Sequence, residues 1–406
     1  MMNKSPRIKR DDASKPEDAA TSPKAKGEQK KGHKEKVRKI VMIVVVIIGC
    51  AAMLLSVTAM ACSGVLNQVT SQEDYKLTGG VAATVKGVNI TEDTITKQIM
   101  AVRNAYGYGS NGSWAQYLVD NDLTPESYRE QVINNYADQY LQQAAINEHD
   151  ITVTDEEVEE AWQNACSSYG GEDEFLEQLK SYGYTEDSYK SSLKNSLAQD
   201  KLKEAVAPAE DPTDQQIIDY LNENLDTYND ARRSSNLLIS VDSDATDEEK
   251  AEAKAKAQEA LDKINSGELS FEDAVEQYSD DTGSKDDGGD VGWDKLTSFV
   301  TEYQDALSQL SVDQVSEIVE TTYGYHIIKC TDYFHVDGDI TSIDQVPEEI
   351  RDYISNIVKT QAQSEAYTTW WNDYKEKADL QINPMPEDVP YDVSLEGVTK
   401  STGSAE

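Results

Sequence analysis

Cysteine and histidine are scarce in this 406-residue chain, with four of each. Cys50 and Cys62 fall within and at the end of an apolar run, which leaves only Cys166 and Cys330 elsewhere. That is too few for a disulfide framework. The neighbourhoods of these two read as a helix face and a strand, so two separately buried thiols are expected rather than a bridge. His33, His149, His326 and His335 are too scattered for zinc-site spacing, and neither a metal nor any other cofactor is expected. Positive charge is also short: 37 Lys and Arg stand against 76 Asp and Glu, a net charge of −39. Residues 1–39 hold 13 of those basic residues and only 6 acidic ones, so the rest of the chain carries −46. Such acidity excludes a nucleic-acid partner, since phosphates are neutralised by Lys and Arg. It reads first as a solvated surface, and second as an attraction for cationic polypeptide segments.

Only one long hydrophobic run is present. Ile40 to Cys62 holds no charged residue, and at about 1.5 Å per residue it can cross a bilayer core of about 30 Å. The basic residues just upstream (Lys30, Lys31, Lys34, Lys36, Arg38 and Lys39) place the preceding segment in the cytoplasm. Everything after residue 62 is therefore expected on the extracytoplasmic face of the cell membrane. Ala59-Met60-Ala61-Cys62 is similar to a lipobox, which makes Cys62 a candidate for lipidation. The run is longer than the usual signal-peptide apolar region of about 7–15 residues. An uncleaved single-pass anchor and a lipoprotein both remain open.

Along the chain, residues 1–39 lack a hydrophobic pattern and read as a disordered basic tail, followed by the 40–62 anchor or signal and a 63–78 spacer. A strand-like run, Val81 to Lys86, leads to a turn at Gly87-Val88-Asn89. From about 91 to 228 the period is helical. Thr154-Asp-Glu-Glu157 is a capping box ahead of Val158, Ala161, Trp162, Ala165 and Cys166, and Thr213-Asp-Gln-Gln216 opens another helix. These helices are only moderately apolar, which favours an arm-like or cradle-like bundle in the module at 79–228.

The pattern then changes. Asn236 to Val241 reads as a strand, Thr246 to Glu249 caps a helix ending at Gly267, and Ser270 starts a shorter helix. Ser279 to Gly292 is a Gly/Asp-rich loop, a helix follows near 301–310, and strands are expected at Val315–Glu320 and His326–Cys330. This is the order of a compact α+β domain over 229–334. Helical pattern returns at 343–378 and needs a covering partner, for which the helices before residue 228 are the candidate. The α+β domain would then be an insertion in a mainly α-helical module, with 335–383 returning to that module and 384–406 an extended tail.

The Gly-rich loop lacks the Gly-Lys-Ser/Thr ending of a phosphate loop and is strongly acidic, so it is not one. Asp242-Ser-Asp-Ala-Thr-Asp247 is not a calcium loop, because Asp247 replaces the glycine at the sixth position and Ala253 the glutamate at the twelfth.

Three blocks carry a resemblance: Ser270-Phe-Glu-Asp-Ala-Val-Glu-Gln-Tyr-Ser-Asp280, Gly288-Gly-Asp-Val-Gly-Trp293 and Tyr323-Gly-Tyr-His-Ile-Ile-Lys329. In this order and spacing they resemble a parvulin-type peptidyl-prolyl isomerase over residues 229–334. The flanks, including Val81–Thr91, Ile151–Glu157 and Gly170–Phe175, resemble the PrsA and SurA folding factors, and the anchor makes the PrsA type the closer match. The resemblance implies a foldase for newly exported or unfolded polypeptides containing X-Pro bonds. It also implies an apolar slot for the proline ring from Val291, Phe299 and Tyr303, and a polar side from Asp281, Tyr323 and His326. Read without it, the slot residues are core, Asp281 is a solvated carboxylate, and glycines 288, 289 and 292 serve backbone shape.

Two positions depart from the parvulin pattern. Asn236-Leu-Leu stands where the first strand usually has His-Ile-Leu, and Asp294 stands where Phe usually follows Gly-Trp. Asn236 still donates and accepts hydrogen bonds. The alternative is a non-catalytic holdase whose parvulin domain only binds clients, and a homodimer is left open.

Overall fold

The computed structural model describes residues 75–401. The basic tail, the uncharged run with Cys62 and most of the expected spacer lie outside the described residues. Among the described residues no helix is long and apolar enough to cross a membrane. Two compact units divide the chain. One runs up to Ala205 and resumes at Asp373, and the other, Val206–Asn372, is inserted between those segments.

In the first unit, β1 (Val81–Val85) and β2 (Val88–Thr91) form a hairpin. Its turn is Lys86-Gly87, both at positive φ, rather than the expected Gly87-Val88-Asn89. A two-residue loop with both φ positive matches the twist of the paired strands, so β2 begins one residue after the glycine. The helices are α1 (Glu92–Ala105), α2 (Asn111–Asp120), α3 (Pro125–Glu148), α4 (Asp155–Ser168), α5 (Glu172–Ser181) and α6 (Glu186–Val206). Thr154 and Glu157 cap α4 reciprocally, as the sequence implies. Apolar side chains gather in two separate clusters. One, around Trp162, Cys166, Phe175 and Tyr189, ties α4, α5 and α6 together.

The other cluster holds β1, α1, α2 and α3 and is completed from the far end of the chain. The expected tail is extended in backbone but is not loose. A two-residue strand, Gln381–Ile382, pairs with β1, and Val389, Tyr391 and Val393 are buried in the cluster. Trp114 Nε1 donates to the Tyr391 carbonyl at 3.1 Å, and Arg103 Nη1 to the Pro390 carbonyl at 2.9 Å.

The second unit begins with α7 (Asp214–Glu223) and the short α8 (Leu225–Tyr228), and continues β3 (Ala231–Ser240), α9 (Asp247–Ser266), α10 (Phe271–Tyr278), β4 (Asp290–Trp293), α11 (Thr301–Ser308), β5 (Val319–Thr321) and β6 (Gly324–Phe334). The strands form one antiparallel sheet in the order β4-β3-β6-β5. The long helix α12 (Glu348–Lys377) follows, and the division between the units falls inside it. Its Ile350 and Ile354 are covered by Ile217, Ile218 and Leu221 of α7 together with Trp293 and Phe334 of the sheet. Helices α7 and α8, expected with the helical module, therefore pack with the sheet. Their apolar stripe has its partners there.

Candidate functional site

Alternation along the two central strands sorts their side chains by face. Leu237, Ile239, Tyr325 and Ile327 join the core under α9 and α10. Asn236 pairs across from Ile328 and Leu238 across from His326, so Asn236 and His326 are diagonal neighbours on the opposite face. Asn236 and His326 are both buried, at 5% and 6% exposure. The Gly/Asp-rich loop is pinned to the same strand at both ends. Asp280 N donates to the Leu238 carbonyl and Asn236 N to the Gly289 carbonyl, each at 2.7 Å. Gly289 has φ +86°, and a Cβ there would lie 2.6 Å from the Asn236 carbonyl oxygen, so only glycine lets the loop return this closely.

That closure delivers Asp281 to the strand face. Asn236 Nδ2 donates to Asp281 Oδ2 at 2.9 Å. The same oxygen accepts from the buried Ser284 hydroxyl at 2.8 Å, and Oδ1 accepts from Gly283 N at 3.1 Å. With its Nδ2 so engaged, Asn236 presents Oδ1 as an acceptor, and His326 Nδ1 lies 2.9 Å from it. Nδ1 therefore carries the imidazole proton, and Nε2 accepts from the Thr321 hydroxyl at 2.9 Å. The hydroxyl, imidazole and amide each donate in the direction of the one carboxylate.

Beside this chain lies an apolar patch. Tyr303 meets the His326 ring edge-on at 5.6 Å between centroids, and Phe299 lies 4.7 Å from Tyr303. Half-buried Val291 and Phe299 pack against the cluster of Tyr303, Leu307 and Ile328. The Tyr303 hydroxyl shares a hydrogen bond with Ser234 Oγ at 3.1 Å, and burial pushes its phenol far above the usual range. Asp294, in place of the usual Phe, accepts from Arg232 N at 2.8 Å and from Gln304 Nε2 at 2.7 Å. It braces β3 against α11. Tyr323 lies in the turn between β5 and β6, 47% exposed. Its backbone N–H donates to Thr321 Oγ1, so the hydroxyl that meets His326 Nε2 is that of Thr321.

Burial pushes His326 down to about 4, against the weaker upward pull of Asp281. The folded site thus keeps a neutral imidazole while an unfolded chain takes up a proton near pH 6.5. Stability from this group is complete above about pH 6.5 and is lost progressively as the pH falls to about 4. At 1.36 kcal/mol per pKa unit the loss approaches ~3 kcal/mol. Urea unfolding of the native protein and of His326→Gln at pH 7.5 and 4.5 checks this. The native protein should lose about 2–3 kcal/mol more than the variant, and equal losses would refute a neutral buried His326.

Comparison with known proteins fits this geometry. The profile of the PPIC-type PPIase (rotamase) domain matches residues 237–332, and that of the SurA-like N-terminal domain matches residues 33–203. The foldase protein PrsA 3 of Bacillus anthracis is 29% identical over 284 residues, covering 68% of this chain and 87% of that protein. The chain is thus similar to PrsA-type foldases, with a PPIC-type PPIase domain and a SurA-like N-terminal domain. The foldase protein PrsA of Staphylococcus aureus (strain Newman) is 28% identical over 209 residues, 50% of this chain and 60% of the relative. A crystal structure of peptidylprolyl isomerase (PrsA) from B. anthracis aligns at 25% identity over 61% of this chain and 98% of that one, with a TM-score of 0.24.

Sequence reading named Asn236, Asp281, His326, Tyr323, Val291, Phe299 and Tyr303; the structure gathers six of them beside one sheet face and leaves Tyr323 in the β5–β6 turn. It missed Thr321, Ser284 and Ser234. A polar residue immediately before the tight Thr322-Tyr323 turn was the available signal for Thr321, since hairpin pairing sets it opposite Gly324. Nothing in the spacing marked Ser234, whose strand is bulged on either side of it.

Proposed function

We propose that this site catalyses cis-trans isomerisation of X-Pro bonds in exported polypeptides. The observation that carries the reading is the hydrogen-bonded chain Thr321–His326–Asn236–Asp281, set beside the Val291–Phe299–Tyr303 patch. Twisting an X-Pro amide costs about 18–20 kcal/mol of resonance and takes tens to hundreds of seconds unaided. No bond to the enzyme is required. The site need only hold the twisted amide better than either planar form. In this reading the apolar patch grips the proline ring, His326 and Asp281 face the rotating carbonyl, and Asn236 holds the two in register. Tyr323 closes the outer side. Isomerisation moves no net proton, so an amide between the imidazole and the carboxylate does not forbid it.

The same reading places the chain on the extracytoplasmic face of the cell membrane, held through residues 40–62, with unfolded or newly exported chains as clients. It rests on the uncharged run and its basic flank. The mass of the N-terminal peptide from membrane-extracted protein separates a lipidated Cys62 from an uncleaved span.

A proline-peptide isomerisation assay on the full chain tests the catalytic reading. His326→Ala and Asp281→Ala should each lower kcat/KM about tenfold or more, equivalent to ~1.4 kcal/mol of lost transition-state binding. The amide at Asn236 favours one competing reading, a holdase that binds without catalysing. No rate above background, with client aggregation still suppressed, would decide for it.

A further inference from the structure

The catalytic loop carries negative charge that its surroundings leave uncompensated. Five carboxylates, Asp280, Asp281, Asp286, Asp287 and Asp290, lie on the stretch from Ser279 to Asp290. Two have cations: Asp290 is held by Arg233 at 2.6 Å, and Asp280 stands 3.7 Å from Lys256. Three remain against a single lysine. That lysine, Lys285, spends its ammonium on the Ser279 carbonyl at 2.8 Å. All the hydrogen bonds into Asp281 come from neutral donors: an amide, a hydroxyl and a backbone N–H. Its neighbour in the chain, His326, is buried and uncharged. The field of Asp281 is felt at both His326 and Tyr303, the residues that border the apolar patch.

We propose that the isomerase site selects X-Pro bonds that adjoin a basic residue and discriminates against acidic neighbours. This deepens the catalytic reading and rests on it. The physical reason needs no particular substrate pose. Consecutive residues of an extended chain advance by only about 3.3–3.6 Å, whereas the screening length is about 10 Å at 0.1 M salt. A side chain next to a proline seated on the patch therefore lies inside the field of Asp281, which is joined through Asn236 to the His326 ring that borders the patch. A lysine there neutralises a carboxylate that the fold leaves without a cation, and a glutamate adds to an unscreened excess.

The test is kcat/KM of the full chain on three peptides that differ only in the residue before proline: Lys, Gln or Glu. The expected order is Lys, then Gln, then Glu, with about a tenfold ratio between the extremes at low ionic strength. That ratio should shrink to about twofold in 1 M salt, where the screening length is about 3 Å. Equal values for the Lys and Glu peptides, with turnover measurable, overturn the charge selection and leave the isomerase standing. If no peptide is turned over, the isomerase reading falls, and peptide affinity decides the selection. Tighter binding of the Lys peptide upholds it, and equal or undetectable binding overturns it.

Discussion

A chain ending after Ala378 is expected to lose the fold of its N-terminal unit while keeping the isomerase-like unit. The residues removed supply one edge strand of the three-stranded sheet and three buried side chains, Val389, Tyr391 and Val393. Full burial of such side chains contributes roughly 1.5–3 kcal/mol each, so the loss of three approaches the ~5–15 kcal/mol that stabilises a whole domain. The loss does not stop at apolar area. Trp114 Nε1 and Arg103 Nη1 would lose the Tyr391 and Pro390 carbonyls, and both side chains are buried. Neither polar group could stay inside without a partner except at a cost of about 1–3 kcal/mol. Hydrogen exchange read by mass spectrometry separates the two units. Amides between residues 82 and 145 should lose protection, and those between 237 and 330 should keep it. Retained protection in the first range would show that the C-terminal segment only decorates the unit.

Arg129→Ala is expected to destabilise the same unit by about 3–5 kcal/mol, because it strands a buried carboxylate. Glu92 is 1% exposed and Arg129 2%. The guanidinium meets Glu92 through Nη2 at 2.6 Å and Nε at 3.1 Å, and reaches the Asn383 carbonyl at 3.0 Å. The other face of the carboxylate accepts from the Tyr391 hydroxyl at 2.7 Å. The charges are thus closed into a satisfied group that joins α1, α3 and the C-terminal segment. Removing the cation leaves Glu92 with only a phenol. Replacing the whole group (Glu92→Leu, Arg129→Met, Tyr391→Phe) leaves no orphan and should cost less than Arg129→Ala alone. Urea midpoints of the two variants test this, and a triple variant less stable than the single one would contradict it.

Much of this was legible in the sequence, where local chemistry dictated the outcome. The capping boxes at Thr154, Thr213 and Thr246 each start a helix one residue later. Asn236–Val241 and His326–Cys330 were legible as strands, and the structure shows Asn236 and His326 on the face away from the helix-covered core. Glycines 288, 289 and 292 were read as serving backbone shape, and at Gly289 the structure shows a close approach to Asn236. Three misplacements share one cause. The hairpin turn was set one residue late, α7 was assigned to the wrong unit, and 384–406 was taken for a tail. Each depends on which surface a segment meets, and an apolar face does not say what will cover it.

The polar and apolar parts of the site divide in the same way. By itself the sequence determined which residue types were available: one imidazole, one amide at the departure from the parvulin pattern, an acidic glycine-rich loop and a few aromatic residues beyond it. The resemblance to parvulins named most of them as site residues. Only the tertiary structure decided how they connect. Asp281 reaches Asn236 because the loop is tied to both flanks of that residue, at Leu238 and at Gly289. Thr321 meets His326 because the hairpin folds β5 back along β6. The C-terminal strand and Tyr391, distant from β1 and Glu92 by about three hundred residues, complete the other unit's core. Hydrogen-bond direction and burial are properties of pairs far apart in the chain, and a local pattern carries no record of the partner.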